Sequence, residues 1–502
     1  MKLFGGARPD HPMADLKEAR RLLDELPAQD PLKAVEELGN WMESVAAAQG
    51  FKPEHRIQTL VLVDDAAQQR VRRLARDYFA AVRPSRFMEN RLWGAIHEYY
   101  RQAGQAFARG VDLFVQNAKG ADAAKAQLPL LLVRTLRSLA QQVKWMHMRY
   151  GPIDLATWGV LNGVYAYAEA RQAALAKTAA YPGVPGETTP QLEYLKAAMF
   201  SAGSPDGLLP REIELAERLA ADLAPRFAIA AQAAPGLSYW VDLARPMAPL
   251  RLARPPEHTP GLRCFGPGAA LDELEALGER IRAEGAVPPA LGRGGGDEPE
   301  TVLGVIDHLR MYWSPNPPER KAQRHAVKSR LSVSHGYDGL VGALGGGASL
   351  DFGTQDGESW IVENVSAGGF GAVVPQVKGD WLRVGALLAL QPEGGSNWVV
   401  GLVRRVQKTS PREAQVGIQT LSKLPVLSQF AVSGARGAIA QGVLLRDGAD
   451  ETRIVLRPGI YAPAQNLEAE HGGRRHIYMP QGVAERGEDY EIARFREMIR
   501  ES

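Results

Sequence analysis

Cysteine is almost absent from this chain, which has 502 residues and only one cysteine, Cys264. A single thiol excludes an internal disulfide and a zinc site built from several cysteines, and it fits a reducing compartment. Net charge is also small, because 59 lysines and arginines against 57 aspartates and glutamates leave +2. The chain as a whole is therefore not expected to be drawn to nucleic acid or to an anionic membrane, and any basic patch must be local.

Long apolar runs are missing as well. The most concentrated one, Leu128 to Val133, is far shorter than the roughly 20 residues that span a bilayer. The N-terminus begins Met1-Lys2-Leu3-Phe4 and then meets two glycines, so it lacks an apolar stretch of signal-peptide length. We therefore expect a cytoplasmic protein with no membrane span. The length predicts three or four domains.

The first half of the chain has a helical pattern, from about Asp15 to Ala234. Apolar residues recur at steps of three and four, which puts them on one helix face. In one predicted helix these are Met88, Leu92, Ile96, Tyr99, Ala103, Phe107, Val111 and Phe114, and in a later one Leu155, Trp158, Leu161, Tyr165 and Ala168. Prolines suited to a first helical turn punctuate the region. The pattern predicts seven to nine helices in a domain over residues 1–235, as a bundle or a short helical solenoid.

A mixed connecting region is predicted over residues 236–317. Tyr239 to Leu243 and Leu250 to Leu252 are typical of strands, and a helix face carries Leu271, Leu274, Leu277 and Ile281. The stretch from Val287 to Pro299 is rich in proline and glycine and is the strongest linker signal in the chain. A short helix over Glu300 to Trp313 is expected next, ended by Ser314-Pro315-Asn316-Pro317-Pro318.

The remainder of the chain is predicted to be β-structure in two small domains, residues 318–424 and 425–502. Short extended runs separated by turns are typical of small barrels, which close to hide their edges. In the first domain these runs are Trp360 to Val374, Leu387 to Leu390, Trp398 to Val406 and Gln415 to Leu421, and in the second Ala438 to Leu445, Arg453 to Leu456, Leu467 to Glu470 and His476 to Met479. The fold class is thus multidomain α+β: an N-terminal all-α helical bundle followed by small antiparallel β-barrels.

A basic segment opens the first of these domains. Five of the eleven residues from Arg320 to Arg330 are cationic and none is acidic. Arginine's planar fork binds phosphate oxygens in pairs, and it can also bind the O6/N7 edge of guanine. We expect this segment, with Arg320 and Arg324 four residues apart, to be an arm without regular structure. Taken alone, such a charge run is more often a solvated basic linker.

A second motif follows within the β-region. Trp360 to Glu363 is typical of a strand leading into Asn364-Val365-Ser366-Ala367-Gly368-Gly369. Asn364 and Ser366 lie two residues apart in extended chain, so their side chains point to the same side and offer donors and acceptors. Gly369 lets the backbone turn and leaves room for a flat ring. As a lone hexapeptide this could be an ordinary β-turn.

Together the two motifs resemble the PilZ domain, the cyclic di-GMP receptor module, whose pattern is R-x-x-x-R, a strand, and then D/N-x-S-x-x-G. Arg320 and Arg324 match the first part, and Asn364, Ser366 and Gly369 match the second. The segment Trp398 to Arg404 resembles a late barrel strand, and Val416 to Leu421 the closing one. The resemblance covers about residues 318–424.

This resemblance implies a bacterial second-messenger receptor and not an enzyme. Cyclic di-GMP would be the ligand, held by Arg320, Arg324, Asn364, Ser366 and Gly369, with Lys321, His325 and Gly368 as secondary candidates. The arginines would hold phosphates and guanine edges, and Asn364 and Ser366 would contact a guanine. The helical domain would then be the output or docking part, with a protein partner. No cofactor is implied.

The two motifs are separated by an unusually long connection. The gap from Arg324 to Asn364 is long, and residues 342–359 are rich in glycine, which predicts an expanded first hairpin with His335 and Asp338 in a turn. No metal-binding or catalytic set of residues stands out. Gly345 to Ser349 lacks the Gly-Lys-Ser/Thr of a phosphate loop, and no Gly-x-Ser-x-Gly elbow is present.

Three other functions stay open at this point. The first is a PilZ-like scaffold that binds no nucleotide, against which the intact motifs argue. The second is a nucleic-acid-binding protein that uses the basic arm, which the near-neutral charge and the lack of interleaved aromatics disfavour. The third is an enzyme whose catalytic residues converge only in the fold.

Overall fold

The computed structural model describes residues 9–80, 85–254, 256–289, 291, 298–316, 323–346, 358–433, 438–446 and 452–500. They form two compact units. The first consists of the described parts of Met1–Arg149, Ile153–Pro205 and Pro210–Pro318, and the second of those of Tyr150–Pro152, Asp206–Leu209 and Glu319–Ser502. Helices followed by two antiparallel barrels confirm the α+β class. The domain boundaries at residues 235, 317 and 424 stay predictions.

Helices form most of the first unit, as predicted. Eight α-helices lie between residues 16 and 222 in the part of the chain that the structure describes. They are α1 (Leu16–Asp24), α2 (Pro31–Ala47), α3 (Pro53–Tyr78), α4 (Arg86–Val115), α5 (Leu128–His147), α6 (Leu155–Ala170), α7 (Pro190–Ala202) and α8 (Pro210–Asp222).

The helix starts follow from local chemistry. Helices α2, α3, α7 and α8 each begin at a proline, whose fixed φ suits the first turn and whose missing N–H costs no bond there. Before α4, the Ser85 hydroxyl accepts a hydrogen bond from the amide of Met88 at 3.3 Å. Before α7, the Thr189 hydroxyl caps the amide of Leu192 at 3.2 Å. Such caps satisfy amides that have no partner within the helix.

The predicted helix faces are buried except at their first residues. In α4, the seven predicted positions from Leu92 to Phe114 are buried, but Met88 is 38% exposed. In α6, Trp158, Leu161, Tyr165 and Ala168 are buried, but Leu155 is 53% exposed. The prediction placed these residues on one face of each helix, and these two lie at the exposed end of that face. Each exposed residue lies in the first turn of its helix. Periodicity alone does not show whether neighbouring helices extend far enough to cover that turn.

The first unit also contains the mixed region. A four-stranded antiparallel sheet has the order β1-β4-β2-β3. Its strands are β1 (Ala228–Ala230), β2 (Tyr239–Asp242), β3 (Leu250–Arg251) and β4 (Leu262–Gly266). Two helices follow, α9 (Ala270–Glu284) and α10 (Pro299–Trp313). At the end of α10 the indole N–H of Trp313, itself fully buried, donates to the carbonyl of Met199 at 3.0 Å.

The first barrel belongs to the second unit and closes in the order β10-β7-β6-β5-β8-β9. Its strands are β5 (His325–His335), β6 (Glu358–Ser366), β7 (Gly369–Val374), β8 (Leu387–Pro392), β9 (Val399–Lys408) and β10 (Ala414–Ser422). Alternation along β6 shows why the strand forms, because Trp360 and Val362 are buried in the core while Ile361 between them is exposed. Strand side chains alternate between the two faces of a sheet.

The expanded first hairpin contains a helix, α11 (Gly336–Leu344). This corrects the predicted turn at His335 and Asp338, since His335 ends β5 and Asp338 lies inside α11. The helix forms because Tyr337 and Leu340, three residues apart, share a buried face. Both belong to a core that also includes Leu402 of the first barrel and Val443 of the second.

The second barrel closes in the order β11-β12-β13-β16-β15-β14. Its strands are β11 (Pro425–Val432), β12 (Ile439–Leu445), β13 (Thr452–Leu456), β14 (Leu467–His471), β15 (Arg474–Arg486) and β16 (Glu491–Arg500). Strands β11 and β16 were not among the predicted extended runs. Charged residues interrupt β16, yet Ile492, Ala493 and Phe495 are buried in the barrel core.

None of the described helices combines the length and the apolar character that a membrane crossing requires.

Candidate functional site

The Asn-x-Ser-x-x-Gly motif forms the hairpin between β6 and β7. Ser366 is the last residue of β6 and pairs with Gly369, the first residue of β7. The hydroxyl of Ser366 donates to the carbonyl of Gly369 at 3.3 Å. Asn364 and Ser366 are both half-buried, whereas Gly368 in the turn is exposed. The hairpin therefore presents its polar side chains at the rim of the barrel.

Gly369 is required by the close approach of β10. It pairs with Gln419 of that strand. A Cβ atom at position 369 would lie 1.9 Å from the carbonyl oxygen of Ile418, which belongs to the backbone. Since real Cβ atoms do not come so close to backbone, only glycine fits here. Glycine was predicted at this position because it allows a turn. The structure adds a second reason, the contact with β10, which lies some fifty residues further along the chain.

Asn364 has a glycine opposite it. It pairs with Gly371 of β7, and its side-chain amide occupies the space beside that glycine, with Nδ2 2.5 Å from where a Cβ of residue 371 would stand. Gly371 was not among the residues predicted for the site. A second glycine two residues after the motif was a visible signal, but its meaning depends on this cross-strand pair.

The basic arm lies beside this hairpin. His325 begins β5 and pairs with Val365, and Ala326 pairs with Asn364. Arg324 precedes His325 by one residue and Ser366 follows Val365 by one, so the antiparallel register brings Arg324 and Ser366 to the same end of the two strands. The arm and the Asn-x-Ser motif are therefore neighbours in the fold. Arg320 and Lys321 lie outside the described residues.

The arm is more regular than predicted. From His325 onward it is strand β5, because its backbone groups find partners on β6 even though the register shifts between Ala326 and Ser329. The extra residues of this irregularity leave the strand locally unpaired, as in a β-bulge. Arg324, His325 and Lys328 are all exposed. The basic side chains of the described part of the arm are therefore exposed on or next to a regular strand.

Arg404 was not among the predicted site residues, but it is linked to the hairpin by Gln419, the residue that pairs with Gly369. The Nε of Arg404, on β9, donates to Oε1 of Gln419 at 2.7 Å. The two outer nitrogens of Arg404 also bind both oxygens of Glu485, at 2.6 and 2.7 Å. Glu485 lies on β15 of the second barrel. A fork-to-fork pair of this kind fixes orientation better than a single contact.

Within the described residues, no group of three or more histidine, cysteine, aspartate or glutamate side chains is arranged to hold a metal ion.

Comparison with known proteins identifies two parts of the chain. Residues 17–234 match the family model described as the cyclic-di-GMP receptor FimW, N-terminal domain. Residues 356–424 match that of the cyclic-di-GMP receptor FimW, middle PilZ domain. The chain belongs to this family of PilZ-domain cyclic-di-GMP receptors. Searches among curated proteins and among solved structures each found no match.

The family assignment confirms the resemblance and widens it. The FimW middle-domain match includes Asn364, Ser366, Gly368 and Gly369 but begins after the basic arm. The FimW N-terminal match covers the helical region, which the motifs had left without a family. A receptor is a binding protein, so the coarse function, a PilZ-domain receptor for cyclic di-GMP, follows from the family.

Proposed function

We propose that this chain binds cyclic di-GMP at the junction of the basic arm and the β6–β7 hairpin. Arg320 and Arg324 would hold the phosphates and guanine edges, and Asn364 and Ser366 would contact a guanine above Gly369. Lys321, His325 and Gly368 would be secondary contacts. The ligand would be bound and released unchanged, because the family's role is that of a receptor.

The observation that supports this best is the β5–β6 register. It brings Arg324 next to the strand end that carries Ser366, and it sets Ala326 opposite Asn364. An anionic ligand at this place would meet exposed cations on one strand and half-buried polar side chains on the next. Charge-assisted hydrogen bonds to phosphate are among the stronger contacts that a protein makes.

Calorimetric titration of the full chain with cyclic di-GMP tests the site. We expect Arg320→Ala and Arg324→Ala each to weaken binding roughly tenfold to a hundredfold, since a hydrogen bond to a charged group contributes about 1.5–3 kcal/mol. Ser366→Ala and Asn364→Ala should weaken binding while the thermal melt is unchanged.

Arg330→Ala is the matched control. Arg330 is exposed on the same strand but pairs with Ile361, away from the motif, so its loss should leave affinity within about twofold. Wild-type affinity in both Arg320→Ala and Arg324→Ala would refute the assignment of the arm.

We further propose that binding is passed to the helical unit, which would dock a protein partner. The arm follows α10 in the chain, and Trp313 anchors the end of that helix on Met199. In addition, two segments that connect helices belong to the barrel unit, Tyr150–Pro152 and Asp206–Leu209. Tyr150 is buried in the first barrel's core. A ligand that changes the barrel can therefore act on helices through the chain itself.

A cytoplasmic location is also part of the proposal. It is supported by the single cysteine, Cys264, which is buried and free, as expected in a reducing compartment.

A further inference from the structure

The helical unit contains a large cleft that the cyclic di-GMP site does not use. Its volume is about 1340 Å³, and it lies between α3, α5, α7 and α8. Pockets for small molecules usually hold about 300–1,000 Å³. The cleft is therefore larger than a metabolite or single nucleotide needs. Most of its lining lies on helices, and the rest comes from the two residues that follow α3, from Tyr181 to Val184 and from Leu291.

Each of the four helices faces the cleft with residues at the spacing of one helix face. The positions recur at three or four residues and again at seven, which is the period by which helices pack on one another. On α3 and just after it, Gln68, Arg72, Arg76 and Phe79 follow this spacing, and on α8 Glu214 and Glu217 do. A further helix placed in the cleft would pack against the rows of side chains on these four helices.

The volume of the cleft is sufficient for a short helix. A helix about 10 Å wide that rises 1.5 Å per residue occupies roughly 120 Å³ per residue. The volume of about 1340 Å³ thus corresponds to roughly 11 residues, or three turns. Half-buried apolar side chains are available to it, including Phe79, Tyr100 and Val184.

The carboxylates in the cleft are already neutralised by neighbouring cations. Glu193 is bound by Arg137 at 2.7 Å and by Lys196 at 2.9 Å. Lys144 is bound by Glu214 at 2.7 Å and by Glu217 at 3.2 Å. Buried charges need such partners, because an unpaired one costs several kcal/mol. These six groups therefore do not call for a charged ligand.

Two arginines on the cleft wall differ from these groups. Arg72 and Arg76 are exposed and both line the cleft. They lie four residues apart on α3, so their side chains are neighbours on one face of the helix. Within the described part of the chain, neither forms an ion pair or a side-chain hydrogen bond. Arg211, also exposed on the cleft wall, donates to the backbone carbonyls of Phe79 and Ala80. Arg72 and Arg76 therefore add positive charge to the cleft with their donors still available to an incoming molecule.

We propose that the cleft binds an acidic amphipathic helix of a protein partner. Two carboxylates four residues apart on that helix would pair with Arg72 and Arg76, while its apolar face would cover Phe79 and the aromatic side chains beside it. Helix-in-groove recognition of this kind uses anchors at helical spacing. The inference rests on the proposed docking role of the helical unit and gives that role a site and a partner chemistry.

The test is selection of helical peptides on the full-length protein. A display library of 14-residue amphipathic peptides, with randomised charges flanking a fixed leucine and phenylalanine face, would be enriched on the wild type. We expect the enriched peptides to carry Asp or Glu at two positions four apart. Binding of the best labelled peptide, measured by fluorescence anisotropy, should weaken tenfold or more in Arg72→Glu and in Arg76→Glu.

Arg73→Glu provides the matched control. Arg73 is exposed on the same helix but does not face the cleft, so affinity should change less than twofold. No enrichment, enrichment without acidic pairs, or equal loss in Arg73→Glu would each overturn the inference. Calorimetry with cyclic di-GMP on the same proteins separates the two proposals: a wild type that binds peptide but no dinucleotide refutes the proposed receptor site alone, and the reverse result refutes the cleft alone.

Discussion

Asn364 and Gly371 are matched across β6 and β7: the asparagine amide lies where a side chain at residue 371 would begin. A Cβ there would stand 2.5 Å from Nδ2 and 2.7 Å from Oδ1 of Asn364. These atoms are the flexible end of a side chain and not backbone, so they can move. The glycine thus determines where the amide points, which is the property a ligand site needs.

We expect Gly371→Ala to weaken cyclic di-GMP binding with little loss of stability. The new methyl group would push the Asn364 amide out of place, and losing one well-placed hydrogen bond costs about 0.5–1.5 kcal/mol, which corresponds to roughly twofold to tenfold in affinity. Calorimetry and a thermal melt measure the two effects. In the double variant Asn364→Ala/Gly371→Ala, the second change should cost nothing further, because the displaced group is gone. Strictly additive losses would contradict the proposed matching.

Gly369 and Gly368 should differ sharply in how much stability the same substitution costs. Gly369→Ala puts a Cβ 1.9 Å from the Ile418 carbonyl oxygen, whereas a Cβ at Gly368 has nothing within 4 Å. We expect Gly369→Ala to destabilise the barrel by roughly 1–3 kcal/mol or more, since backbone must shift, and Gly368→Ala to leave stability nearly unchanged. Denaturant unfolding compares them directly. Equal stability of the two variants would show that β10 does not approach Gly369 so closely.

Glu193 should make the stability of the helical unit depend on pH. Burial by itself raises the pKa of this carboxyl, but the ion pairs with Arg137 and Lys196 outweigh burial and lower the pKa from 4.5 to about 2. Because the folded pKa lies below the unfolded one, the stabilisation is complete above about pH 4.5 and is lost as pH falls toward 2. At about 1.36 kcal/mol per pKa unit it amounts to roughly 3 kcal/mol.

Glu193→Gln should therefore destabilise the helical unit by roughly 3 kcal/mol at about pH 7, and by roughly half as much near pH 3. Urea unfolding followed by far-ultraviolet circular dichroism gives the difference from wild type at each pH. Glu187→Gln is the control, because Glu187 is exposed nearby and its loss should matter little at any pH. A Glu193→Gln deficit that stays constant with pH would mean that the ion pairs are not its origin.

Ligand binding should change hydrogen exchange beyond the barrel. If cyclic di-GMP orders the arm, the preceding helix α10 should show altered exchange, because binding shifts an equilibrium only through unequal affinity for its two states. Replacing Pro315, Pro317 and Pro318 with glycine should leave affinity nearly intact but reduce the effect in α10, since a flexible linker does not carry orientation. Protection restricted to residues after Ser314 would refute transmission through the arm.

The motifs and the helical half show how much could be predicted from the sequence. Prolines and capping residues are local signals, so Pro31 and Pro53 begin helices as expected. The Asn-x-Ser-x-x-Gly spacing lies within one hairpin, and together with the Arg320/Arg324 pair it led to the correct family. Strand β16 was missed because its alternating charges resemble a solvated segment when its partners β13 and β15 are unknown.

By itself, the sequence determined the class of the fold, the PilZ family and the residues of its motif, because all of these depend on neighbours in the chain. Only the tertiary structure shows why residue 369 must be glycine and how Arg404 contacts Gln419 and Glu485. It alone also shows that one face of each of four helices lines a cleft. The physical reason is the same in each case. These contacts join residues that are far apart in sequence, and their energies depend on distances of a few ångströms that only the folded chain defines.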